Sequence, residues 1–455
     1  MNPNSQWRLV VQFFDPTPVC GVPFYPEVIK AQKYEFSRLV TVSAVFHFQW
    51  HRVYSNGSTR IVGTPDKAYT PTTDDIGKKL NLSYHVICNG SRISGSQTSS
   101  FVIPFPSLID RSIIVKDSSM SSQPIIKVLS YNILRDEMAM LNASDGKLTD
   151  HPRWVQHWEF RKLNIVREIV RSDADVLCLQ EVQNDSYENY LRDELQKIGY
   201  DAIYMRRKNP NLRAIGNGQL QNDGVAICFR TAKFDVMPSH TREIHFCDKL
   251  FPLLTSSSGN YDYAAHARLA KNNIALAITL SAKDGRGATI PGCTFTVCNT
   301  HICANLADVK LFQVSTLLTE LERKCFFPLI LCGDFNSIPT SQPLRLITTR
   351  QTRENEWMPP DPAKIFPSIN LHHTMHLTSA YSGSDGNTFS KNFHAMLDYI
   401  FYDYRFRLKG LLELPNISMD DHMPSPASSS DHVPIMGVFE LLPTPEYMKT
   451  FKSSC

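Results

Sequence analysis

Several short polar clusters close apolar runs along this 455-residue sequence: Ser130-Tyr131-Asn132, Gln180-Glu181, Asn299-Thr300-His301, Gly333-Asp334-Phe335-Asn336, Leu397-Asp398-Tyr399 and Ser430-Asp431-His432. Carboxylates, amides and imidazoles of this kind, gathered on one rim, supply oxygen ligands to a hard cation and hydrogen-bond donors to a phosphate. Hydrolysis of a phosphodiester needs such a set: charge neutralisation at the phosphate, an oriented water, and protonation or stabilisation of the leaving oxygen. Taken singly, each residue also fits a plain structural role. Asn132 fits a turn or cap, Glu181 a solvated strand end, and Asp334 with Asn336 a loop opener of the Asx type. Their recurrence at the ends of successive apolar runs favours a shared rim. Asp334 and Asn336 lie two apart, so on an extended segment they face the same side.

The elements that would carry these tips follow from hydrophobic periodicity. Ile125 to Tyr131, Asp175 to Gln180, Phe295 to Asn299 and Leu329 to Cys332 are short apolar runs suited to covered strands. Between them, Glu159 to Arg171 places Leu163, Val166 and Val170 on one helical face, and Val314, Leu317, Leu318 and Leu321 keep the spacing of an amphipathic helix. Strands alternating with helices make an α/β layered domain, assigned to residues 124–445 with a tail at 446–455. Residues 1–105 read differently, as period-two stretches such as Val40 to Trp50 and Leu80 to Val86 separated by Asn-Gly and Gly-Thr-Pro turns. That pattern predicts a small all-β sandwich. Residues 106–123, with prolines, serines and few periodic apolar positions, are read as a linker.

Composition narrows the class. Hydrophobic residues make up 42% and charged residues 20%, so the chain can bury real cores and is not disordered over most of its length. The 47 basic and 44 acidic side chains are too evenly matched for charge alone to establish a nucleic-acid partner. No run approaches the roughly 18 apolar residues of a membrane span, and the start Met1 to Trp7 lacks the order of a signal peptide, so a cytoplasmic or nuclear location is expected. Of the 11 cysteines, Cys178, Cys228, Cys298 and Cys332 lie inside apolar runs, which favours reduced, packed thiols.

The same clusters, extended as Leu129 to Leu134, Leu179 to Gln183, Asn299 to His301, Cys332 to Pro339, Leu397 to Tyr402 and Ser430 to His432, resemble the ordered motifs of the endonuclease/exonuclease/phosphatase superfamily. Within it, Glu181 to Asp185, Asp308 to Leu311 and Leu411 to Leu414 resemble the carbon catabolite repressor type of deadenylase. The segment Tyr69 to Leu80 resembles a corner of immunoglobulin-like repeats in some plant proteins, and the β-rich front module looks like plant homologues of that deadenylase, which also lack leucine-rich repeats. The resemblance implies two packed β-sheets flanked by helices, a four-layer α/β sandwich, preceded by an immunoglobulin-like domain. It implies one or two Mg²⁺ held by Glu181 with Asn132 and Asp431. Asp334 would handle a proton and Asn336 hold the phosphate. His432 would meet the scissile phosphate or its water, Asp398 would accept the other ring proton of His432, and His301 would contact phosphate.

For the substrate, the resemblance implies the 3′ ends of poly(A) RNA, shortened 3′ to 5′ with release of 5′-AMP. Phe393 is placed to stack on a base, and Arg206, in the basic triplet Arg206-Arg207-Lys208, to meet the polyanion. Two positions depart from the pattern: Thr388 stands where the deadenylases carry asparagine, and Ala395 where they carry glycine. Related phosphoester substrates therefore remain in play, namely those of a nocturnin-like nucleotide phosphatase, an angel-like 2′,3′-cyclic phosphatase or a 2′,5′-phosphodiesterase. A non-catalytic scaffold in mRNA decay is a further alternative. The β-module is the expected docking place for a protein partner, such as a deadenylase complex.

Overall fold

The computed structural model describes residues 7–35, 38–88, 91–121, 123–139, 151–208, 222–250, 262–352, 371–384, 386–390, 394–416 and 423–442. The chain forms two compact units, residues 1–108 with 140–163, and residues 109–139 with 164–455.

In the first unit the period-two stretches become two antiparallel sheets. One holds Trp7–Gln12, Val28–Glu35 and Arg38–Val42; the other runs Thr59–Val62, His47–Val53, Lys79–Cys88, Ser91–Phe101. Alternation sends Trp50, Leu80, Leu82 and Tyr84 inward, where they meet Val11, Phe13 and Phe24. Beneath them a buried carboxylate, Asp75, accepts from Arg52 Nε, from Tyr69 Oη at 2.8 Å and from Thr72 N at 2.7 Å. This network fixes the Tyr69 to Asp75 corner against the Arg52 strand.

The second unit is the expected α/β layered domain, with two seven-stranded sheets. The first sheet runs Tyr200–Arg206, Asp223–Arg230, Val176–Gln183, Ile125–Asn132, Ile435–Leu441, Phe406–Leu412, Ile113–Val115. The second runs Phe234–Val236, Ile274–Lys283, Thr289–His301, Leu329–Asp334, Asp398–Asp403, Leu377–Ser379, with Arg242–His245 also pairing Ile274–Lys283. One parallel pair stands at the centre of each: Ile125–Asn132 beside Val176–Gln183, and Thr289–His301 beside Leu329–Asp334. Their shared apolar core takes Val128, Cys178 and Ile227 from one sheet and Ile278, Val297 and Ile330 from the other. A polar tie crosses it: fully buried Asn299 donates through Nδ2 to Leu179 O at 2.8 Å and Ala226 O at 2.9 Å, and accepts from Gln180 Nε2 at 2.7 Å. Helix Ala307–Lys324 buries Val314, Leu317, Leu318 and Leu321 as the spacing predicts.

Two readings change. Ile113–Val115, within the stretch read as linker, is an edge strand paired to Phe406–Leu412, because three consecutive β-branched residues outweigh the flanking prolines and serines. Helix Trp158–Ser172 exists, but Val170 is exposed and the buried positions are Phe160, Arg161, Asn164, Ile165 and Ile169. Two buried polar residues on that stripe disguised its apolar period. Cys178, Cys228, Cys298 and Cys332 are buried free thiols, as expected. Among the described residues no helix is long and apolar enough to cross a membrane.

Candidate active site

Asn132, Glu181, His301 and Asp334 lie at or near the carboxyl ends of the central parallel strands, while Asp398 opens the antiparallel strand Asp398–Asp403 and His432 precedes Ile435–Leu441. On the second sheet His301, Asp334 and Asp398 are register partners across three neighbouring strands. Gly333 permits that close row: its φ is +150°, and a Cβ there would come 2.0 Å from Thr300 O. On the first sheet Asn132 sits opposite Gln180. A bulge between Leu179 and Val182 breaks the pairing with Asp223–Arg230, and Glu181 lies in it with φ +54°. Such a conformation costs a non-glycine residue roughly 1–3 kcal/mol, and it turns the carboxylate toward Asn132 and Arg135. Asn336 shares the left-handed conformation, with φ +47°.

Asn132 joins the two sheets. Its Nδ2 donates to Glu181 Oε1 at 3.3 Å and to Asp334 Oδ2 at 3.0 Å, while its Oδ1 accepts from Leu134 N at 3.0 Å. In this arrangement Asn132 faces the carboxylates as a donor. Ser430 Oγ donates to Asn132 O at 2.7 Å and accepts from His432 N at 3.1 Å, which anchors the Ser430 to His432 segment. His432 Nδ1 lies 2.7 Å from Asp398 Oδ2, and its Nε2 lies 3.7 Å from Asp334 Oδ2. Among the described residues, Asp334, Asp398 and His432 bring their ligand atoms within 4.8 Å of one another. Glu181 joins this trio through Asn132, and Asp431 is buried close enough for its charge to act on His432. The expected metal set and the tightest trio therefore differ in membership while sharing one rim.

Electrostatics separate the roles. Burial disfavours the charged form of His432, but Asp398, Asp334 and Asp431 more than reverse this and push its pKa up to about 10. It is an imidazolium at neutral pH. For Asp334, burial and the neighbouring Asp398 raise the carboxyl pKa against the lowering effect of His432 and His301. Glu181 is also raised by burial, but the charge and backbone N–H of Arg135 overcome that and hold it below the usual range. Burial, then Arg207, drop His301 to about 4. Arg207 Nη2 lies 2.7 Å from His301 Nδ1 and can only donate, so the proton of this neutral ring is on Nε2. That nitrogen lies 3.5 Å from Asp334 Oδ2 and 3.2 Å from Asn336 Nδ2.

Other groups complete the site and were not singled out for a role from the sequence. Asp223 is buried between Arg135 Nη1 at 3.1 Å and Arg207 Nε at 3.0 Å, so one ion triad braces both Glu181 and His301. Lys310 Nζ bonds Asn336 O. Thr388 is fully buried, and its Oγ1 accepts from Leu397 N at 3.0 Å and Asp398 N at 3.1 Å. Arg206, named for phosphate contact, points outward and pairs with Glu188 at 2.7 Å; Arg207 is the member of the triplet that reaches the site. The alternation of side chains along a strand explains the exchange. Phe393 lies outside the described residues, while Phe389 packs edge-on to His432 at 4.9 Å between centroids.

Residues 129–432, which hold every one of these tips, match the endonuclease/exonuclease/phosphatase family. The chain belongs to that family. It is 33% identical over 443 aligned residues to carbon catabolite repressor protein 4 homolog 1 of Arabidopsis thaliana, across 86% of this chain and 72% of the relative. It is 26% identical over 371 residues to CCR4-NOT transcription complex subunit 6-like of Danio rerio, covering 71% of this chain and 64% of that protein. Among solved structures it is similar to ANGEL2, a 2′,3′-cyclic phosphatase, in complex with adenosine-2′,3′-vanadate, with a TM-score of 0.56 and 27% identity over 74% of this chain and 99% of that one. The protein is thus a phosphoesterase of the family, related to the carbon catabolite repressor 4 deadenylases.

The family implies a divalent cation, and the donor set fits one. Buried carboxylates face each other, and Asp398 Oδ1 is a buried oxygen with no hydrogen-bond partner among the described residues. The one imidazolium of His432 does not balance Asp334, Asp398 and Glu181, so a divalent cation would supply the missing charge.

Proposed function

We propose that this protein is a Mg²⁺-dependent 3′-to-5′ exoribonuclease that shortens the poly(A) tails of mRNA and releases 5′-AMP. The observation that carries the reading is the Asp334–Asp398–His432 row, joined to Glu181 through Asn132, in a chain whose similarity to the Arabidopsis protein runs through both units. Bound at Glu181, Asp334 and their neighbours, one or two Mg²⁺ would neutralise phosphate charge and polarise the attacking water.

The chain's own residues do the rest. Asp334, with its raised pKa, accepts the proton of the attacking water as the new P–O bond forms. His432, cationic and held by Asp398, faces the charge that builds on the phosphoryl oxygens as the bond to the leaving 3′-oxygen breaks. His301 donates through Nε2 to a phosphate oxygen, and the amide of Asn336 beside it holds a second. The leaving 3′-oxygen takes a proton from solvent water, Asp334 returns its proton to solvent, and the nucleoside 5′-monophosphate is released. The similarity to CCR4-NOT subunit 6-like supports assembly with other deadenylase subunits.

A second reading is a 2′,3′-cyclic phosphatase, favoured by the likeness to ANGEL2 along nearly its whole length. Thr388 bears on the choice, because its hydroxyl oxygen is occupied by two backbone N–H groups. One assay separates them: 5′-labelled RNA ending in A20, the same RNA ending in C20, RNA with a 2′,3′-cyclic end, and NADPH, each with Mg²⁺ and with EDTA. Selective, EDTA-sensitive loss of the A20 tail supports the exoribonuclease. Opening of the cyclic end alone, or equal decay of both tails, refutes it.

A further inference from the structure

We propose that the outer face of the four-stranded sheet in the first unit binds single-stranded RNA. The idea deepens the RNA reading of the catalytic site, and rests on it only for the identity of the RNA as a poly(A) tail.

The face is defined by alternation. Trp50, Leu80, Leu82 and Tyr84 point into the core, so His47, Lys79, Asn81, Ser83 and His85 point out. His47 and His85 are cross-strand partners whose rings stack at 4.8 Å with 19° between planes. Arg92, on the next strand, places Nη2 3.2 Å from His85 Nδ1. Because guanidinium only donates, that nitrogen accepts and His85 is a neutral ring with its proton on Nε2. Three flat π groups therefore line up across three strands, His47, His85 and Arg92. At the other end of the face Lys79 sits over the Phe101 ring at 5.0 Å from its centroid. Six residues of strand separate Lys79 from His85, about 20 Å. The ground between is small and hydrogen-bonding: Asn81 Nδ2 donates to Thr98 Oγ1 at 2.8 Å, and Ser83 Oγ to Asn81 Oδ1 at 3.3 Å.

Charge chooses the occupant. The strands Thr59–Val62, His47–Val53, Lys79–Cys88 and Ser91–Phe101 contain no Asp or Glu, although the whole chain has 44 against 47 Lys and Arg. A four-stranded sheet whose outer face exposes planar rings, cations and hydroxyls beside Ile61 and Ile87, and whose strands carry no carboxylate, matches a polyanion whose bases present apolar π faces. A folded acidic protein would gain charge pairing there but would leave the ring ladder without stacking partners.

The test uses the full chain in EDTA, with fluorescent A20 followed by anisotropy over a salt series. His47→Ala with His85→Ala should weaken A20 binding at least about tenfold, as expected for loss of base stacking. His47→Phe with His85→Phe should hold it within about threefold. Lys79→Glu with Arg92→Glu should weaken binding and flatten the salt slope by roughly 1.4 for two lost phosphate contacts. Cleavage of the dinucleotide ApA with Mg²⁺ should stay at the parent rate in all of them. A20 affinity unchanged within twofold in the alanine and glutamate pairs overturns the proposal. So does loss of capture of an acidic partner protein while A20 binding persists. If A20 binds this face but no tail is shortened, the exoribonuclease reading fails and this one stands.

Discussion

Two of the buried ion clusters among the described residues are built to opposite rules. In the first unit Asp75 is completely enclosed, and both oxygens are filled: Oδ1 by Arg52, Oδ2 by Tyr69 and Thr72. Burial raises its pKa, and those donors overcome the rise and leave it below the ordinary value. In the second unit Asp334 and Asp398 face each other across adjacent strands, Asp398 Oδ1 has no hydrogen-bond partner among the described residues, and the Asp334 pKa is raised. A network that protein donors complete fixes a corner of the fold. One in which two buried carboxylates share a single imidazolium, and one oxygen has no donor, is short of positive charge and in that sense unfinished, which marks it as the candidate place for chemistry. Substitutions that neutralise a carboxylate should therefore have opposite consequences in the two places.

The largest effect is expected at the unfinished cluster. Asp334→Asn should lower kcat by about 10²–10⁴-fold through loss of proton transfer, with no fall in the midpoint of urea unfolding, because it relieves repulsion between buried carboxylates. Unchanged turnover would remove Asp334 from the mechanism. A large drop in stability would show that the cluster is structural after all. Asp75→Ala should do the reverse. Stranding Arg52 without its buried partner should cost about 3–5 kcal/mol, read as lost hydrogen-exchange protection in Lys79–Cys88, while ApA cleavage continues. The pH dependence follows from the lowered pKa. The contribution of Asp75 is full above the unfolded aspartate value of about 3.9 and disappears as pH falls through its lower folded value. Acid should therefore erode protection of that strand in the parent and have less left to erode in the variant.

The contrast also explains what could be read from sequence. The polar tips that gather in the candidate site were legible because a polar residue at the end of an apolar run is a conspicuous break in pattern: Glu181 after Val176 to Leu179, Asp334 after Leu329 to Cys332. The braces behind them were not. Arg207 is hidden in a triplet that looks like solvated surface, and only strand alternation decides that it, and not Arg206, turns inward to Asp223 and His301. Arg161 and Asn164 broke the apolar period of their helix in the same way, since burial of a polar group depends on partners that lie far away in sequence. The left-handed turn at Glu181 is set by the bulge against the neighbouring strand, a feature of pairing that no local residue announces.

Cation binding should sharpen the comparison at intermediate size. At a Mg²⁺ concentration 100 times its Kd, a site that binds only the folded state gains about 2.7 kcal/mol. That gain should appear as slower exchange in Leu329–Asp334 and leave Lys79–Cys88 unaltered. Asp398→Asn should abolish it. Equal protection of both strands would mean that Mg²⁺ acts on the molecule as a whole and not at the proposed cluster.

The smallest effect tests how the unfinished cluster is held in shape. Thr388 touches no reacting group in this arrangement; its hydroxyl oxygen takes the N–H groups of Leu397 and Asp398, its own N–H donates to Ala395 O at 2.9 Å, and its carbonyl accepts from Val433 N at 2.8 Å. It thereby links the backbone entering Asp398 to the residue after His432, the two ends of the 2.7 Å Asp398–His432 contact. Thr388→Val keeps shape and volume but leaves two buried N–H groups without an acceptor, so the segment should relax and the Asp398–His432 pair lengthen. A kcat reduced about tenfold, or about 1.4 kcal/mol, with KM unchanged, and rescue by Thr388→Ser, would identify the hydroxyl as a positioning group. A rise in KM with kcat intact would instead place Thr388 in substrate recognition.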